Sequence, residues 1–136
     1  MVDAVETLAP DSADSRPVVL VVEDEFLLRW PAAEYLRDCG YRVIEAASVS
    51  EAVAVLSSVT RVDMVFSDVN LQGEDTGHGL SRWLDQHHPE VCLILTSGNA
   101  NAAAALPRGA RRAFISKPYV LADVDQRIKD MLPRDE

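Results

Sequence analysis

Residues 62–70 read Val62-Asp63-Met64-Val65-Phe66-Ser67-Asp68-Val69-Asn70, an apolar run that ends in a carboxylate. Met64, Val65 and Phe66 are apolar without alternation, which suits a strand buried on both faces, as in a parallel sheet. In an open α/β sheet the chemistry gathers outside the carboxyl ends of the strands, and Asp68 falls at that place. Three other stretches repeat the arrangement. Val18–Val22 runs into Glu23-Asp24-Glu25, Cys92-Leu93-Ile94-Leu95 runs into Thr96-Ser97, and Ala113-Phe114-Ile115 runs into Ser116-Lys117-Pro118. Each run delivers polar groups to one edge: acids, a hydroxyl and a lysine.

Helical patterns fill the intervals. Over residues 25–39, Leu28, Ala32, Tyr35, Leu36 and Cys39 recur at helical spacing, and Gly40 is a natural stop. Pro31 is the misfit, because a proline in a helix interior costs roughly 3 kcal/mol. The expectation is a kink near Trp30 or a late start. Residues 41–45 alternate and suit a short strand near an edge. Ser48-Val49-Ser50-Glu51 is a capping box, followed by a stripe of Ala52, Val55, Leu56 and Val59. Gly73, Gly77 and Gly79 predict a loop over residues 70–79. Leu80, Trp83, Leu84 and His87 form the next stripe. A strand follows over 91–95, then a short Ala-rich helix over 99–106 and a strand over 112–115. Leu121, Val124, Ile128, Met131 and Leu132 define the last helix.

Strand and helix thus alternate five times, which implies a parallel sheet with helices on both faces. Right-handed crossovers favour the strand order 2-1-3-4-5, a flavodoxin-like doubly wound α/β fold whose switch point lies between the first and third strands. Glu23, Asp24 and Asp68 meet there. Residues 1–16 are acidic and aperiodic and are expected to form a tail, residues 17–133 the domain, and 134–136 a short end.

The chain has 136 residues, of which 48% are apolar, enough for the core of one domain. Its net charge of −9 argues against a nucleic-acid surface, which needs clustered Lys and Arg. Cys39 and Cys92 lack metal or redox spacing and are expected to be small hydrophobes of a protein in a reducing cytoplasm. No apolar run is long enough to cross a bilayer, and no signal peptide is evident.

Two carboxylates about 4 Å apart repel by roughly 4 kcal/mol at an effective dielectric near 20. Several acids at one strand edge therefore call for a cation. Mg²⁺ suits them, since it takes one or two carboxylates together with waters and phosphate oxygens. Lys117 adds a second positive charge and Thr96 a short hydroxyl donor. A carboxylate, a metal, a lysine and a hydroxyl suffice for phosphoryl transfer onto an aspartate.

The four motifs together resemble the receiver domain of bacterial two-component response regulators, over residues 17–132. They are Val-Val-Glu-Asp-Glu at the first strand, Phe-Ser-Asp-Val-Asn at the third, Leu-Thr-Ser-Gly at the fourth and Ser-Lys-Pro at the fifth. The resemblance implies a CheY-like fold with Asp68 as phosphoacceptor. It implies Asp24 as a direct Mg²⁺ ligand, Glu23 acting through water, and Asn70 lending its backbone carbonyl. Thr96 would bind the phosphoryl group and shift inward, Lys117 would pair with a phosphoryl oxygen, and the Lys117–Pro118 bond would be cis. Phe114 holds the position of the family's switch aromatic, although as a residue it is equally an apolar strand side chain. The implied partners are a sensor histidine kinase or a histidine phosphotransferase, and a downstream protein that the sequence does not name.

No output domain follows Glu136, so the leading expectation is a stand-alone switch that catalyses its own phosphorylation and hydrolysis. Two alternatives stand beside it. One is a receiver-like interaction module that does not respond to phosphate. The other is a Mg²⁺-dependent phosphohydrolase with an aspartyl nucleophile, although such enzymes commonly place a second Asp where this chain has Asn70.

Overall fold

A computed structural model describes residues 15–71, 77–98 and 111–132. Five strands, β1 (Val18–Val22), β2 (Arg42–Ala46), β3 (Met64–Asp68), β4 (Cys92–Ser97) and β5 (Arg112–Ser116), form one sheet in the order β2-β1-β3-β4-β5. All pairings are parallel. Four helices are described: α1 (Phe26–Asp38), α2 (Val49–Leu56), α3 (Gly77–His87) and α4 (Leu121–Met131).

The continuous apolar runs have the expected cause. Leu20, Val22, Val65, Leu93 and Leu95 turn to a core shared with Ala52 and Leu56 of α2 and Leu80 and Leu84 of α3. Val19, Val21, Met64, Phe66 and Ile94 turn to the other face, where Ala33 and Leu36 of α1 and Val124 and Ile128 of α4 pack. Both faces are dry, so neither needs polar alternation. A fully buried side chain such as Leu93 or Ile94 contributes roughly 1.5–3 kcal/mol relative to exposure.

Local signals set several boundaries. Ser48 Oγ accepts from the Glu51 N–H at 3.1 Å. The Glu51 carboxylate accepts in return from the Ala47 N–H at 2.7 Å, one residue earlier than in the usual capping box. Gly40 ends α1 with φ of 104°, a conformation that side chains with a Cβ resist.

Other boundaries differ from the sequence reading. β2 begins at Arg42 rather than Tyr41, and α2 ends at Leu56, leaving Val59 79% exposed. α1 starts at Phe26 and runs through Pro31, so a late start is not the solution. The Leu27 carbonyl, four residues before the proline, loses its helical donor, and Leu27 lies on the solvent side where water can replace it. α3 begins at Gly77, inside the stretch expected to be loop. Gly77 is needed there because a Cβ would lie 2.7 Å from the Asp68 carbonyl oxygen. The helix expected over 99–106 lies outside the described residues.

Candidate functional site

Asp68 closes β3, and Thr96 lies beside it in register on β4. Neighbouring strands are about 4.8 Å apart, so the two are immediate neighbours. Backbone bonds continue around the same edge. Glu23 N–H donates to the Ala46 carbonyl at 3.0 Å, Val69 N–H to the Thr96 carbonyl at 2.9 Å, and Lys117 N–H to the Ser97 carbonyl at 3.0 Å. The sheet thereby holds Glu23, Asp68 and Lys117 at one edge before their side chains make any contact.

Asp68 is buried and accepts at both oxygens. Lys117 Nζ donates to Oδ2 at 2.6 Å, and the Asn70 backbone N–H donates to Oδ1 at 2.9 Å. Burial works to lower the Lys117 pKa, but the hydrogen bond and charge of Asp68, with Glu23 adding, outweigh it and hold the ammonium above its ordinary value. The Lys117–Pro118 peptide bond is cis.

The acids next to this pair are crowded. Burial pushes the Glu23 carboxyl up to about 7, opposed by a bond from the Glu25 N–H and reinforced by Asp24 and Asp68. Thr96 is 3% exposed, and its hydroxyl has no hydrogen-bond partner among the described residues. Among the described residues no group of three or more His, Cys, Asp or Glu side chains stands ready to hold a metal ion. The donors at this edge are carboxylate oxygens, the type Mg²⁺ takes one or two at a time together with waters and phosphate oxygens. The raised Glu23 carboxyl calls for a cation, and the orphaned Thr96 hydroxyl calls for an acceptor.

The register pairs Phe114 with Leu95, and Thr96 with Ile115. Phe114 is partly buried against the core under α2 and α3. The register thus does not put Phe114 and Thr96 in one row.

Two residues near the site escaped the sequence reading. Tyr119 meets Phe66 edge-on at 5.6 Å, and its phenol is raised first by burial and then by the charges of Glu23 and Asp68. It lines an open groove of about 530 Å³ between α1 and the segment after β5, with Leu27, Leu28 and Pro31 opposite and Glu23 and Lys117 also lining it. The second is Arg29, which reaches the Glu23 carbonyl. A tyrosine just past the Lys-Pro pair was the only sequence signal for the first, and spacing gave none for the second.

The model of the response regulator receiver domain matches residues 19–129. This chain belongs to that family. The receiver domain is 38% identical over 121 residues to the sensor kinase CckA of Brucella abortus, covering 87% of this chain and 13% of that protein. It is 35% identical over 105 residues to the nitrogen assimilation regulatory protein NtrX of Azorhizobium caulinodans, covering 74% of this chain and 23% of that protein. It therefore spans less than a quarter of the length of these curated relatives. Among solved structures it is similar to the receiver domain of the hybrid histidine kinase CckA, with a TM-score of 0.71 and 28% identity over 85% of this chain and 99% of that one. Among the described residues no helix is long and apolar enough to cross a membrane.

Proposed function

We propose that Asp68 accepts a phosphoryl group from a phosphohistidine in a Mg²⁺-dependent reaction, and that the resulting charge is signalled through the adjoining surface. The observation that carries this reading is the buried Asp68 carboxylate bonded to Lys117 at 2.6 Å beside a Thr96 hydroxyl that has no partner among the described residues. An Asp68 oxygen attacks phosphorus as the bond from phosphorus to the donor imidazole breaks, and its electron pair returns to the imidazole nitrogen. Mg²⁺, held by Asp24, Asp68 and the Asn70 carbonyl with Glu23 acting through water, would neutralise phosphoryl oxygens. Lys117 transfers its hydrogen bond from the Asp68 carboxylate to a phosphoryl oxygen. Phosphorylation replaces the single carboxylate charge of Asp68 with a phosphoryl group carrying roughly −1.5 to −2, whose oxygens the Thr96 hydroxyl and Lys117 meet as donors. The Thr96 side chain is short, so its strand end moves toward the phosphoryl group, and Phe114 responds from the neighbouring row.

The phosphodonor protein is proposed to sit on α1. Phe26, Leu27, Leu28 and Trp30 are each at least half exposed, and α1 borders the groove that reaches Lys117. A contiguous apolar face of this kind marks a protein contact. Sensor histidine kinases and histidine phosphotransferases are the donors this reading names.

The test is intact-mass measurement after incubation with acetyl phosphate and Mg²⁺. The expected result is one acid-labile adduct that hydroxylamine also removes, that maps to Asp68 and that needs the metal. An adduct on another residue, or none, overturns the assignment.

A further inference from the structure

Arg29 lies one turn into α1 and reaches across to the acidic loop. Its Nη1 donates to the Glu23 backbone carbonyl at 2.9 Å, and its Nε pairs with Glu45 Oε1 of β2 at 3.1 Å. The guanidinium carbon stands 5.5 Å from the centre of the Phe26 ring. The side chain is only 16% exposed, so little water competes for these bonds. Arg37, two turns along the same helix, pairs with the same Glu45 at 3.3 Å. Its other bonds go to Glu34 at 2.6 Å and to the Val43 carbonyl at 3.1 Å. Both arginines fasten α1 to β2, but Arg29 also holds the residue that opens the acidic loop.

From this asymmetry we propose that Arg29 is a positioning residue for cation binding, fixing through the Glu23 carbonyl the turn that presents the Glu23 and Asp24 carboxylates. The inference rests on the reading of those acids as the Mg²⁺ end of the site. Mutually repelling carboxylates swing apart unless their backbone is anchored. Arg29 anchors it at the Glu23 backbone carbonyl rather than at a carboxylate oxygen. Its own positive charge is offset by Glu45, which limits repulsion of the incoming metal. Supporting contacts of this kind orient metal ligands without touching the metal.

Mg²⁺ titration of the unphosphorylated protein, followed by the amide signals of Glu23 and Asp24, tests this in wild type, Arg29→Gln, Arg37→Gln and Asp24→Asn. Arg29→Gln should weaken Mg²⁺ binding about tenfold, the low end for lost outer-shell partners. Arg37→Gln breaks the same link to Glu45 and should keep wild-type affinity. Thermal melts in EDTA should show both arginine variants equally folded. Arg29→Lys, able to reach one acceptor only, should recover part of the affinity, and it carries the test if Arg29→Gln does not fold. Wild-type affinity in Arg29→Gln, or equal weakening in both arginine variants, overturns the inference while the Mg²⁺ reading stands. Unchanged affinity in Asp24→Asn overturns the Mg²⁺ reading itself.

Discussion

Two aspartates in this protein are each held by a lysine, and their surroundings differ. Asp125 of α4 accepts from the Tyr41 hydroxyl at 2.7 Å and from Lys129 Nζ at 2.9 Å. Burial works to raise its pKa, but the bonds from Lys129 and Tyr41 outweigh it and the carboxyl stays below its ordinary value. Tyr41, in turn, is pushed well above the usual phenol range by burial and by Asp125. Donors and acceptors match in this cluster, which joins α4 to the start of β2. Asp68 also has its lysine, but the acid beside it is pushed up to about 7, and the neighbouring Thr96 hydroxyl has no partner among the described residues. The first cluster is complete within the fold. On the function proposed above, the second is completed by a cation and a phosphoryl group, which is how a site differs from a structural ion pair.

The largest expected effect breaks the comparison at its functional end. Asp68→Asn should remove the adduct formed with acetyl phosphate and Mg²⁺, whereas Asp125→Asn should leave it, by intact mass. If Asp125→Asn abolishes the adduct while the fold is retained, the two aspartates are not the separate kinds argued here. Next is Lys117→Ala, which should slow phosphorylation of Asp68 by about 100-fold, as for loss of one preorganised donor to a developing charge. A time course by mass measures it. A wild-type rate would make the Lys117–Asp68 pair merely structural. At the structural end, Asp125→Ala removes the 2.7 Å carboxylate acceptor of the Tyr41 hydroxyl and leaves it the longer 3.4 Å contact to the backbone carbonyl of residue 125, which costs about 1 kcal/mol. Urea unfolding should show that loss with the phosphorylation rate unchanged.

The same contrast explains what could be seen in the sequence. The strand order and the residues at the strand ends were legible because Met64-Val65-Phe66 and its counterparts are buried on both faces and end abruptly in polar residues. α1 was harder. Leu28 fell on the apparent inner stripe, yet it is 51% exposed, and Trp30 two residues on is 50% exposed. A helix with apolar residues nearly all round offers no unique inner face to periodicity. Arg29 acts on a backbone carbonyl through a long side chain, and no spacing rule reports such a contact. Gly77 looked like one of three loop glycines. Its close approach to the Asp68 carbonyl depends on how α3 packs, which local sequence does not encode.

The smallest effect sharpens the comparison through its sign. Glu23 titrates near its reference value of 4.5 in the unfolded chain and at about 7 in the folded one. Between these values the folded state binds a proton that the unfolded state has lost, so stability falls as pH rises. The contribution is fully present below 4.5 and gone above about 7. Glu23 is only partly buried, and solvent screening reduces the swing to about 1 kcal/mol. Asp125 behaves in the opposite sense. Its folded pKa lies below the reference value of 3.8, so its stabilisation is present above that value and lost in acid. Urea unfolding without Mg²⁺ at pH 5 and pH 8 should therefore show wild type losing about 1 kcal/mol relative to Glu23→Gln. Across the same interval Asp125→Asn should follow the wild-type slope, since Asp125 is already ionised at both ends. Saturating Mg²⁺ favours ionised carboxylates and should flatten the wild-type slope. Parallel wild-type and Glu23→Gln profiles without metal would show that the crowding of acids beside Asp68 carries no free energy, and the contrast between the two aspartates would then rest on Thr96 alone.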